Sequence, residues 1–150
     1  MEKIDASYYD EIVNTYKGYK YVVRLQRRGH RCGYVQVPDD VLFDKISEKY
    51  NHWDSDGPDI ECHGGLTYCY KDNNGYLEGD NWIGFDCAHL GDAPNLKAIM
   101  DIFVIPEDML KGMEAPYIGP GEIPRSKEYV ENHCKQIIDQ LIELSTGVLI

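Results

Sequence analysis

Three short strings in this 150-residue chain gather the residue types that handle protons and anions: Gly29-His30-Arg31-Cys32-Gly33-Tyr34, Glu61-Cys62-His63-Gly64-Gly65-Leu66-Thr67-Tyr68, and Trp82-Ile83-Gly84-Phe85-Asp86-Cys87-Ala88-His89. Each sets glycine beside a histidine and a charged or aromatic partner. A carboxylate that accepts from one imidazole nitrogen fixes the tautomer and raises the basicity of the other nitrogen. His63, Asp86 and His89, with Glu61, are therefore the candidates for moving a proton. The same pairing is also a common structural hydrogen bond, so both roles stay open. Glycine inside a strand marks a bend or a close approach of a backbone or ligand. Gly33, Gly64, Gly65 and Gly84 could on that ground line one concavity, although a small curved sheet wrapping a helix needs the same bends.

Several chemistries are excluded. His63-Gly64-Gly65 has the look of a backbone-donor segment for a developing oxyanion, but no Gly-x-Ser-x-Gly turn accompanies it. Neither a Walker loop nor a dinucleotide fingerprint is present, since Gly119-Pro120-Gly121 has the wrong spacing and no strand before it. The five cysteines, Cys32, Cys62, Cys69, Cys87 and Cys134, are odd in number and widely spaced, which speaks against a disulfide framework. Cys62, His63, Cys69, Cys87 and His89 raise the question of zinc, but without a Cys-x-x-Cys pair the cysteines read as buried, reduced, apolar residues. Asp72, Asn74 and Gly75 lack the later ligands of a calcium loop and read as a hairpin turn. No cofactor or metal is expected, and His30, His52 and His133 receive no role.

These strings must be positioned by strands. Residues 19–25 alternate with the period of a half-buried strand, Arg27-Arg28-Gly29-His30 breaks the run, and 31–37 resume it, which reads as a β-hairpin. Residues 8–17 suit either a leading strand before Gly18 or a helical stripe. Pro38-Asp39-Asp40 opens a short helix through Lys49, and Asn51 to Pro58 form a loop. Ile60 to Cys62, Leu66 to Tyr70 and Asn81 to Ala88 have strand character. The expectation is one α+β domain over 1–150, an antiparallel meander of four to five strands packed by a C-terminal helix. That helix follows Ser126, with the stripe Val130, Cys134, Ile137, Ile138, Leu141 and Leu144, a core face that also leaves room for a homo-oligomer contact. Before it, residues 91–124 carry five prolines and read as an irregular excursion with one helix over Leu96 to Phe103, of the kind that serves as a lid or interaction loop.

The net charge of −11 is unevenly spread: between Glu11 and Asp39 there is no acid, while Lys17, Lys20, Arg24, Arg27, Arg28 and Arg31 are all cationic. Such a basic hairpin either pairs with the protein's own acids or attracts an anion. The overall charge opposes stable binding of duplex nucleic acid. No apolar run approaches the ~20 residues of a membrane span, and the first residues lack the pattern of a secretion signal, so a cytoplasmic location is expected.

The strings Gly-His-Arg-Cys-Gly-Tyr-Val at 29–35, His-Gly-Gly-Leu-Thr-Tyr at 63–68 and Trp-Ile-Gly-Phe-Asp-Cys-Ala-His at 82–89, followed by a helix beginning near Glu128-Tyr129-Val130, resemble a group of small bacteriophage and prophage proteins. The likeness covers about residues 18–92 and 124–144. It implies a setting, a phage protein acting in the host bacterial cytoplasm, and assigns no catalytic residue. By association, that setting implies a counter-defence protein. In one form it captures a small anionic molecule, plausibly a nucleotide immune signal, without turnover. Arg24 and Arg31 would then neutralise charge and Gly64 and Gly65 donate N–H groups. Tyr68 or Trp82 would stack on a base, with His63, Thr67, Asp86 and His89 completing the site. Alternatively, an acidic surface would inhibit a nucleic-acid-binding defence protein of the host, in the manner of an anti-CRISPR. A small hydrolase using His63, Asp86 and His89 is the third reading.

Overall fold

A computed structural model describes residues 2–109 and 121–146. Its centre is a five-stranded antiparallel sheet made of β1 (Tyr8–Tyr16), β2 (Tyr19–Gln26), β3 (Arg31–Gln36), β4 (Tyr68–Tyr70) and β5 (Trp82–Asp86). Among the described residues, α1 (Asp40–Asn51), α2 (Leu96–Ile102) and α3 (Lys127–Ser145) accompany it. Two further short strands, β6 (Asp92–Ala93) and β7 (Ile123–Pro124), pair in parallel. The architecture is α+β, with α3 packed on the sheet as expected.

Of residues 8–17, Tyr8–Tyr16 form a strand. The tight turn to β2 places Lys17 and Gly18 at positive φ, a geometry that matches the twist of a two-residue hairpin. Strand order departs from a strict meander: it runs β1-β2-β3-β5-β4, so β5 enters beside β3 and β4 becomes the edge. Residues 60–62 form no strand, because Gln140 of α3 holds the Glu61 peptide on both sides, accepting from its N–H at 2.8 Å and donating to its C=O at 2.8 Å. A side chain has taken the place of a ladder partner.

The α3 stripe disappears into the interior: Val130, Cys134, Ile137, Ile138 and Leu141 are fully buried against Tyr21, Val23, Val35, Ile83 and Phe85. These five residues of the stripe are spent within the chain, and Leu144 is partly buried against the same cluster. Gly33 permits this packing, since a Cβ there would lie 2.6 Å from the Phe85 ring and 2.7 Å from Cys134 Sγ. Gly84 is likewise filled, by Tyr34 and the Gly33 carbonyl. Neither of these two glycines lines a concavity. On the opposite face of the sheet, Val22, Cys32, Tyr34 and Trp82 form a second cluster with Leu77, while Leu25 packs with Ile99 and Phe103 in a third.

The excursion over 91–124 contains α2, close to its expected bounds, and its segment 110–120 lies outside the described residues. Among the described residues, no helix is long and apolar enough to cross a membrane.

Candidate functional site

The basic hairpin divides its charge between the two sheet faces. A β-bulge in β1 between Asp10 and Ile12 sets Asp10 opposite Arg24 and leaves Glu11 free of the ladder. Arg24 is 3% exposed, ion-paired with Asp10 and caged by Tyr8 and Tyr76, whose ring centroids lie 3.8 and 4.4 Å from its guanidinium carbon. Arg31, on the helix side, is held by Glu11 in a two-pronged contact at 2.6 and 2.9 Å and donates to the Arg125 carbonyl. Both arginines have their charge matched internally, which corrects the expectation that they meet a ligand. Trp82 is also withdrawn, 1% exposed, with its indole N–H donated to the Glu78 carbonyl.

The available cations lie in the hairpin turn. Arg27, Arg28 and His30 border an open groove of about 980 Å³ whose other wall includes Asp86, Ala88, Pro94 and Leu96. Arg28 is exposed and makes no ion pair among the described residues. Arg27 pairs with Asp5 at 3.5 Å and donates to the Val104 carbonyl at 2.7 Å, and its Nε is buried with no partner. His30 donates from Nδ1 to the Cys87 carbonyl at 2.7 Å, so in the neutral ring Nε2 is left as an acceptor. Gly29, at φ +102°, holds this turn against the start of α2, where a Cβ would meet Ile99 and Pro94 within 2.8 Å. The Cys32 thiol, which faces the groove, is pushed up by burial and stays protonated near neutrality.

Behind Asp86 stands a second constellation, around His63. The side chain of Asp92 is wholly buried and accepts from Arg125 Nε at 2.9 Å, His63 Nε2 at 2.8 Å and the His89 N–H at 3.0 Å. Burial alone would raise its pKa, but these donors outweigh it and hold the carboxyl below the ordinary aspartate value. Because the carboxylate takes the His63 Nε2 proton, the neutral ring presents Nδ1 as acceptor to the Tyr129 hydroxyl at 2.8 Å. The His63 backbone N–H donates to His133 Nδ1, and burial, with the nearby His63 and Arg125 charges, lowers the His133 pKa.

His89 links the two constellations. Its ring lies 5.9 Å from that of His63 and covers Gly64, where a Cβ would come within 2.5 Å of the imidazole. Nε2 of His89 is 3.1 Å from Asp86 Oδ1 but out of line for a hydrogen bond, so that nitrogen is buried without a partner. Asp86 instead accepts from the Ala88 N–H.

The three glycine-flanked strings do meet, through the β3–β5 and β5–β4 ladders, but they do not share one opening. Gly65 donates its N–H within its own turn to the Cys62 carbonyl, and Thr67 bonds the Gly84 carbonyl at the sheet edge. Tyr68 lines a separate hollow of about 400 Å³ with Tyr70 and Tyr76. Among the described residues no three His, Cys, Asp or Glu side chains are grouped to hold a metal ion. Cys62 and Cys87 are raised to about 12, in both cases chiefly by burial.

Four participants escaped sequence reasoning: Asp92, Arg125, Tyr129 and His133. Arg125 and Tyr129 sit 33 and 66 residues from their partners Asp92 and His63, so no local spacing announces them. Arg27 and Arg28 were visible as part of the basic hairpin and as a break between strands, and His30 as a member of the first string without a role. The chain matches no known protein family, no curated protein and no solved structure.

Proposed function

We propose that this protein binds a small anionic molecule of nucleotide size in the groove beside the Arg27-Arg28-Gly29-His30 turn, and holds it without turnover. The observation that carries this reading is the coincidence, in one place, of an exposed Arg28 that is unpaired among the described residues, an apolar wall and sufficient volume. Pockets for small organic ligands measure roughly 300–1,000 Å³. Arg28 and Arg27 suit a phosphate, Pro94 and Leu96 offer a flank for a flat apolar ring, and Asp86 accepts from ligand N–H or O–H groups. Capture is favoured over conversion because the groove's thiol is protonated and the histidine lining it, His30, is tied to a carbonyl. In the phage setting that the sequence resemblance implies, such a protein would remove a nucleotide signal from the host's defences.

The test is calorimetric titration and thermal shift with mononucleotides and cyclic dinucleotides. A true ligand at one hundred times its Kd adds about 2.7 kcal/mol of stability. Arg28→Ala should weaken binding about tenfold, roughly 1.4 kcal/mol, and the ligand should be recovered unaltered after denaturation. No response to any phosphorylated compound would defeat the reading.

One observation favours docking of the acidic side on a basic host protein as a second reading. Trp53 is 84% exposed and flanked by Asp54 and Asp56, on a loop that Lys49 holds by donating to the Trp53 and Ser55 carbonyls. An ordered, exposed tryptophan ringed by acids is suited to anchoring such a contact. Trp53→Ala would abolish that docking and leave nucleotide binding unchanged.

A further inference from the structure

The groove leaves the His63 constellation without a task. Its four side chains are joined by three directed hydrogen bonds: the Tyr129 hydroxyl donates to His63 Nδ1, His63 Nε2–H donates to one Asp92 oxygen, and Arg125 Nε–H donates to the other. The outermost donor is the hydroxyl of Tyr129, a half-buried residue in the first turn of α3, whose proton His63 Nδ1 is placed to remove. The imidazolium so formed would face a wholly buried carboxylate 2.8 Å away. The Arg125 guanidinium carbon lies 5.0 Å from the Tyr129 ring centroid, and its two terminal nitrogens carry no hydrogen bond among the described residues. Positive charge is therefore available beside the phenol for an anionic reactant.

We propose that Tyr129 is a nucleophile that accepts a phosphoryl or nucleotidyl group from a phosphoric anhydride, with His63 as its general base, Asp92 as the group that positions and charges His63, and Arg125 as the cation that meets the phosphate oxygens. The Tyr129 oxygen forms a bond to phosphorus as its proton passes to His63 Nδ1. The P–O bond to the leaving phosphate breaks, and that phosphate carries away the electron pair and takes the proton from His63. The product is a phosphoester at Tyr129, and no oxidant, reductant or metal enters the balance. This activity is separate from binding in the groove and uses none of the groove's cations.

Two measurements on the full chain decide it. The first treats the protein with limiting N-acetylimidazole and maps acetylation by peptide mass spectrometry. At neutral pH Tyr129 should react at least tenfold faster than Tyr70, which is 54% exposed. His63→Gln should remove the advantage, and Asp92→Asn should reduce it. Because the comparison of Tyr129 with Tyr70 is made on the unaltered protein, the result stands even if those variants fold poorly. The second incubates the protein with nucleoside triphosphates and follows intact mass. A phosphoryl or nucleotidyl gain that maps to Tyr129 and is absent from Tyr129→Phe supports the proposal. A Tyr129 no more reactive than Tyr70, or a triphosphate panel that leaves the mass unchanged, overturns it, and neither result bears on groove binding.

Discussion

Asp92 is where the loop after β5, the loop before β4 and the start of α3 are joined, and its charge state sets how that junction responds to acid. Its folded pKa lies below the ordinary value, so its stabilising contribution is complete above about pH 4 and is lost as pH falls through the folded pKa. His133 behaves in the same direction over a different window. With its folded pKa below 6.5, the unfolded chain binds more protons beneath that pH, and stability declines as pH falls from about 6.5. Urea denaturation against pH should therefore show two acid stages, and His133→Asn should remove the upper one while keeping an acceptor near the His63 N–H. Asp92→Asn should cost about 1–3 kcal/mol at pH 7, the range for a buried hydrogen-bonding partner lost, since Asn keeps only one acceptor oxygen for His63 Nε2, Arg125 and the His89 N–H. The arginines were legible only as charges. That Arg24 and Arg31 are neutralised within the fold and Arg28 is not depends on a one-residue bulge in β1, which no composition reveals.

Among the elements, α3 is the most completely specified by its own residues: Ser126 accepts from the Tyr129 N–H at its start, and the apolar stripe recurs at helical spacing. Ile138→Ala should destabilise the protein by about 2–5 kcal/mol, because it empties a fully buried site at the centre of the largest core cluster. Gly33→Ala adds a single carbon yet should cost about 1–3 kcal/mol, since Phe85 and Cys134 already occupy the space its Cβ needs. Urea midpoints for the two variants check both expectations. Residues 8–16 were ambiguous because Ile12, Val13 and Tyr16 fit either period. Pairing to Tyr19–Gln26 decided for a strand, with Ile12 and Tyr16 facing the main core. Residues 60–62 went the other way, having strand-like composition but a helix side chain as their backbone partner.

The whole molecule carries −11 and sets Arg28, unpaired among the described residues, at the groove, so its field should admit a small anion there while repelling a polyanion. Nucleotide affinity should fall as salt is raised from 50 to 500 mM, and duplex DNA should give no mobility shift at physiological salt. Hydrophobic periodicity and turn chemistry are local properties of the chain, which is why the α+β class, the hairpin at 19–36, the helix after Asp39 and the closing helix were determined by the sequence alone. Neither β5 entering between β3 and β4 nor which histidine meets which carboxylate is a local property. Those depend on contacts between residues tens of positions apart, such as His63 with Asp92 and Tyr129, and only the tertiary structure decides them because the side chains acquire their partners when distant loops are packed on one sheet.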